Sequence, residues 1–147
     1  MDRGTAVVLT AAAGGLIALQ APINGKLAGT AGNLQATLLS FLVATAVLFG
    51  IVALARGGFG TIGEVRHVSW LYLTGGLLGA AYVTVALVAV RTLGAGGVTA
   101  ATFAGQLTLS LVVDRFGWLG VAKQPITAGK LLGVALLAAG VFFLVRD

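Results

Sequence analysis

At 147 residues the chain has the length of one ordinary domain, but hydrophobic residues make up 59% of it, charged residues only 9%, and its mean hydropathy is +1.06. A water-soluble domain carries about a quarter charged residues to cover its surface, so a soluble globular fold is excluded. The net charge of +5 comes from basic residues scattered singly, mostly at the ends of apolar runs, which argues against the basic stripe with interleaved aromatics that nucleic acid requires.

A helix crossing the ~30 Å hydrocarbon layer needs ~20 mainly apolar residues, each adding ~1.5 Å. Five runs meet that length: Thr5 to Ala21, Leu34 to Ala55, Val68 to Val90, Ala95 to Phe116 and Ile126 to Val145. They lack strand-like alternation, and open sheet edges do not persist in lipid. The expected class is therefore an all-α integral membrane protein, a single membrane domain over residues 1–147 with five transmembrane helices.

The first run follows Arg3, as a secretory signal peptide would, but it leads into Gln20-Ala21-Pro22-Ile23-Asn24 without a small-x-small cleavage site, and more membrane follows. It is read as a span. Gln20 and Asn24 sit one turn apart around Pro22, which removes a backbone hydrogen bond and can end or kink the helix. Freed carbonyls beside two amides suit a ligand site and equally suit a helix exit.

Connections are expected at Asn24 to Asn33, Arg56 to His67, Arg91 to Gly94 and Gly117 to Pro125. The third is short enough to make its flanking helices antiparallel neighbours. His67, beside Arg66, reads as an interfacial loop residue, since a metal site needs several converging ligands. With no cysteine, thiolate ligands, thiol nucleophiles and disulfides are also excluded.

The third run places Tyr72, Gly75, Gly79, Tyr82 and Ala86 on one face. Gly75-x-x-x-Gly79 permits close helix packing, Tyr82 can present its hydroxyl to a cavity, and Trp70 reads as an interfacial anchor. In the fourth run Thr99, Thr102, Gln106, Ser110 and Asp114 are spaced 3, 4, 4 and 4 and stay within about 60° of one line. Thr and Ser can bond back to their own helix carbonyls, but a whole polar face including Gln106 needs a wet or polar neighbour. Gln106 is therefore read as cavity-lining, with Thr102, Ser110, Thr99, Tyr82, Gln20 and Asn24 beside it. Asp114 reads either as an interfacial carboxylate paired with Arg115 or a headgroup, or as a gating group. The fifth run carries Gly129, Gly133 and Gly140, a smooth groove that suits a second helix.

With alternate sides assigned to successive connections, Arg3, Arg56, Arg66, Arg115, Lys123 and Lys130 fall on the N-terminal side and Lys26, Arg91 and Arg146 on the other. Six against three favours N-inside, only weakly.

Taken together, Gln20-Ala21-Pro22-Ile23-Asn24-Gly25-Lys26-Leu27-Ala28, Gly75-Gly76-Leu77-Leu78-Gly79-Ala80-Ala81-Tyr82-Val83-Thr84, Ala104-Gly105-Gln106 and Ser110-Leu111-Val112-Val113-Asp114-Arg115-Phe116-Gly117 resemble the YdcZ family of the drug/metabolite transporter superfamily. The resemblance covers nearly the whole chain in order. It implies a half-size transporter of the cytoplasmic (inner) membrane: larger members of the superfamily look like two inverted five-helix repeats, so a single repeat is expected to dimerise. Gly133 and Gly140 followed by Val141 are similar to the last-helix dimer motif of small multidrug-resistance transporters. The chain departs from those in lacking a glutamate in its first span, which puts their drug/proton exchange in doubt.

The function expected is secondary transport of a small metabolite or hydrophobic compound by alternating access between two repeats, in a homodimer, or in a heterodimer with an oppositely inserted homologue, in the lipid bilayer. In such an antiparallel pair Arg91 of one copy and Asp114 of the other fall on the same membrane side and can pair. A non-transporting partner or assembly subunit is the alternative. A channel is less favoured, without a charged ring or carbonyl filter. An enzyme is least favoured: four acids and one histidine do not assemble paired carboxylates, a metal cluster or a nucleophile with its base. No cofactor, metal or nucleic acid is expected.

Overall fold

In the computed structural model, which describes residues 2–55 and 57–146, every regular element among the described residues is helical. Four α-helices, α1 (Arg3–Ala31), α2 (Asn33–Leu54), α3 (Gly75–Phe116) and α4 (Ala128–Val145), are joined by turns and short 3-10 segments at Ile62–His67, Trp70–Thr74 and Trp118–Gly120. All four are long and apolar enough to cross a membrane. Arg56, counted above with the basic residues of the N-terminal side, lies outside the described residues.

Local chemistry sets the helix ends. Asp2 caps α1: its carboxylate accepts from the Thr5 amide at 2.9 Å and the Thr5 hydroxyl at 2.6 Å, satisfying an otherwise orphan donor. Those bonds, the hydroxyl's first, hold the Asp2 carboxyl below its ordinary range. Thr127 caps α4 by accepting from the Lys130 amide at 3.3 Å. Gly117, left-handed at φ 67°, ends α3 with its amide donated to Val113 O at 2.8 Å, the usual glycine C-cap.

Two connections differ from expectation. The helix does not leave at Pro22 but continues nine residues further, to Ala31. The segment around the proline buries Ala21, Asn24 and Ala28 on one face, and that packing holds the helix past a missing hydrogen bond that membrane helices tolerate. Only Gly32, at φ 93°, separates α1 from α2. The link expected at Arg91 to Gly94 likewise shrinks to a single residue: α3 is interrupted only at Gly94, where φ is 65° and ψ 172°, a conformation essentially reserved for glycine. The 42 residues of α3 would span about 63 Å if unbroken, twice the hydrocarbon layer.

The chain divides into two compact units, one of residues 20–91 and one of residues 2–19 with 92–146. In the first, Ala28, Ala36, Val83 and Leu87 form the core, with Phe41 and Tyr82 packed against it. There α2 runs antiparallel to the start of α3. Arg91 Nη2 donates to Asn33 Oδ1 at 3.1 Å, the Thr37 and Thr84 hydroxyls meet at 3.1 Å, and Phe41 lies against Gly79. Of the Gly75-x-x-x-Gly79 pair, then, Gly79 makes a close contact while Gly75 faces open space. In the second unit Val98, Ala100 and Leu111 are buried. Val145 lies near Gly97 and Leu137 near Phe103 and Leu107, so α4 runs antiparallel to the later part of α3.

Candidate functional site

The second unit carries a groove of about 840 Å³ between the first half of α1 and the later part of α3, within the ~300–1,000 Å³ typical of small-molecule sites. The α1 wall includes a row of small residues at four-residue spacing, Ala6, Thr10, Gly14 and Ala18, flanked by the larger Val7 and Ile17. The α3 wall is Thr99, Phe103 and Gln106. The Phe103 ring lies against Gly14, 3.8 Å from where a Cβ would stand, an ordinary contact distance. Phe103 and Gln106 also line a smaller recess of about 410 Å³ with Leu107, Ser110 and Leu137.

The polar stripe of α3 is thus divided by its surroundings. Thr99 and Gln106 face the groove, and Ser110 faces the recess with its hydroxyl donated to Leu107 O at 2.9 Å. Thr102 is half-buried and lines neither. Thr108 donates back to Ala104 O at 2.7 Å, the usual arrangement for a helical hydroxyl in lipid. Thr10, Thr99 and Gln106 form no side-chain hydrogen bond among the described residues, leaving two hydroxyls and one amide available to whatever enters. No ionisable side chain is among the lining residues.

The remaining expected residues lie elsewhere. Tyr82, Gln20 and Asn24 belong to the unit of residues 20–91: Tyr82 packs on its core, Gln20 is exposed, and Asn24 is only 5% exposed with Nδ2 unpartnered. Arg91 is held by Asn33 of its own unit. Asp114 is half-buried, its carbonyl accepting from the Gln124 amide at 2.9 Å where the loop folds back. Gly133 and Gly140 face open space, Gly129 meets only Thr127 of its own cap, and no residue of α4 is buried. Arg66 Nε donates to His67 Nε2 at 3.1 Å in the exposed connection. No group of three or more metal-ligating His, Asp or Glu side chains occurs among the described residues.

Thr10, Gly14, Ala18 and Phe103 are site residues that the sequence reading did not single out. The signal for the first three is present as a four-residue period of small side chains in the first run. Phe103 has no such signal, being one apolar residue among many.

Comparison with known proteins places residues 5–143 in a match to the family described as "Putative inner membrane exporter, YdcZ". No curated protein and no solved structure matches the chain.

Proposed function

The chain belongs to the YdcZ family and is a multi-pass inner membrane protein of membrane transport, and from that premise we propose that it is a half-size secondary transporter of drug/metabolite transporter type. The groove of Thr10, Thr99, Phe103 and Gln106 is its substrate path. The observation that carries this reading is the groove itself: a ligand-sized space whose polar groups are unpartnered, in a setting where a polar group left against lipid is costly.

In this proposal the break at Gly94 divides α3 into two stretches that each cross the membrane, so that the chain makes five crossings. The length of α3 and the glycine-only conformation at the break support it. One such repeat leaves its site open on a side, which a second, inverted copy or a homologue closes. The open glycine face of α4, at Gly133 and Gly140, supports contact there, because small residues let membrane helices approach closely.

The test is flux of a metabolite and hydrophobic-compound panel in liposomes holding the purified chain. Gln106→Ala is expected to lower the rate for a transported compound by about tenfold, the cost of one lost hydrogen bond to the compound. Full flux in that variant, with the protein intact, removes Gln106 from the path.

A further inference from the structure

We propose that the groove selects an uncharged, largely apolar molecule carrying one hydrogen-bonding head group, and discriminates against cations. This rests on reading the groove as the small-molecule site and narrows its ligand class. The walls hold no carboxylate, no basic group and no histidine, so an ion entering from water would lose hydration within the membrane without gaining a countercharge. Phe103 alone does not make the aromatic cage that quaternary cations favour.

The hydrogen-bonding inventory fits a neutral head. Gln106 offers a carbonyl and an amide NH₂, Thr10 and Thr99 offer hydroxyls that both donate and accept, and none of the three is engaged among the described residues. A head with both a donor and an acceptor, such as a primary amide, satisfies these groups without an ion pair. The row from Thr10 to Ala18 runs about 12 Å, and with Val7 and Ile17 beside it offers an extended apolar wall to an extended apolar body.

The competing occupant is a lipid acyl chain, which would use the apolar wall and ignore the polar groups. Two photoreactive probes separate these cases: dodecanamide and dodecyltrimethylammonium, each with a mid-chain diazirine, presented to the full chain in lipid nanodiscs. Labelled residues are mapped by mass spectrometry. The expected result is amide labelling within residues 6–18 and 99–106, with the ammonium probe labelling there at least about tenfold less, and a drop of about tenfold in amide labelling for Gln106→Leu, as loss of one hydrogen-bonding partner implies. Thr99→Val is nearly isosteric and carries the same test should Gln106→Leu fail to assemble.

Equal labelling by the ammonium probe overturns the proposal. So does amide labelling that neither Gln106→Leu nor Thr99→Val reduces, since that is the behaviour of an acyl-chain groove. The transport reading is scored separately by flux of the amide in liposomes. Labelling without flux removes transport of this probe and leaves the ligand class standing, whereas flux with no labelling of the groove overturns the ligand assignment.

Discussion

Replacing Gly94 by alanine tests whether one residue divides α3. At φ 65° and ψ 172° the backbone lies in a region that is essentially glycine-only, where a side chain costs on the order of 1–3 kcal/mol. A Cβ at Gly94 meets nothing within 4 Å, so the cost would be purely conformational and no clash is mixed with it. Gly96, two residues on, also has open space around its Cβ and an ordinary helical φ. Gly96→Ala is therefore the matched control, expected to be neutral or stabilising by about 0.5–1 kcal/mol through reduced chain entropy. The two variants should differ by roughly 1–4 kcal/mol, about one to three powers of ten in the unfolding constant. Reversible unfolding in mixed micelles, followed by helical ellipticity, measures the difference. If Gly94→Ala and Gly96→Ala agree within about 0.3 kcal/mol, the argument that a strained glycine breaks the helix is wrong.

Other perturbations have equally definite outcomes. Leu87, fully buried in the core of residues 20–91, should cost about 2–5 kcal/mol when cut to alanine; a loss under about 1 kcal/mol in the same unfolding assay contradicts its place there. Asp2→Ala should lower the thermal midpoint near neutral pH, because the folded carboxyl is held below its ordinary range by Thr5. The sign follows from linkage: a depressed folded pKa gives stability that is present above the unfolded pKa and lost as pH falls through the folded one. The parent and Asp2→Ala should therefore converge on acidification, and a gap that stays constant would assign the effect to something other than the cap. For the proposed paired assembly, Gly133→Leu fills the open face of α4 and should weaken self-association or association with a homologue in a cross-linking titration; unchanged association removes α4 from the proposed interface. Arg91→Asp and Asp114→Arg should each impair function and together restore it if the two pair across an antiparallel dimer, by double-mutant logic. No rescue with dimerisation intact removes that pairing.

The apolar runs by themselves determined that the chain is helical and built for a membrane, because backbone groups in hydrocarbon must be satisfied internally whatever packs around them. The end at Phe116 followed by Gly117 was equally legible, since a glycine C-cap is local chemistry. The course of α1 past Pro22 was not. Sequence gives proline its local penalty, but burial of Ala21, Asn24 and Ala28 against the rest of their unit decides that the helix continues. The site shows the same division. The spacing of Thr99, Gln106 and Ser110 along one face marked a polar stripe, and two of these three line the groove while the third lines the recess. That Thr102 lines neither, that Tyr82 packs on a core, and that Thr10 and Ala18 line the groove depends on which helix faces which. A one-dimensional period names the face of a helix but not its neighbour, and the neighbour is settled only by packing in three dimensions, as where the Phe103 ring comes to lie against Gly14.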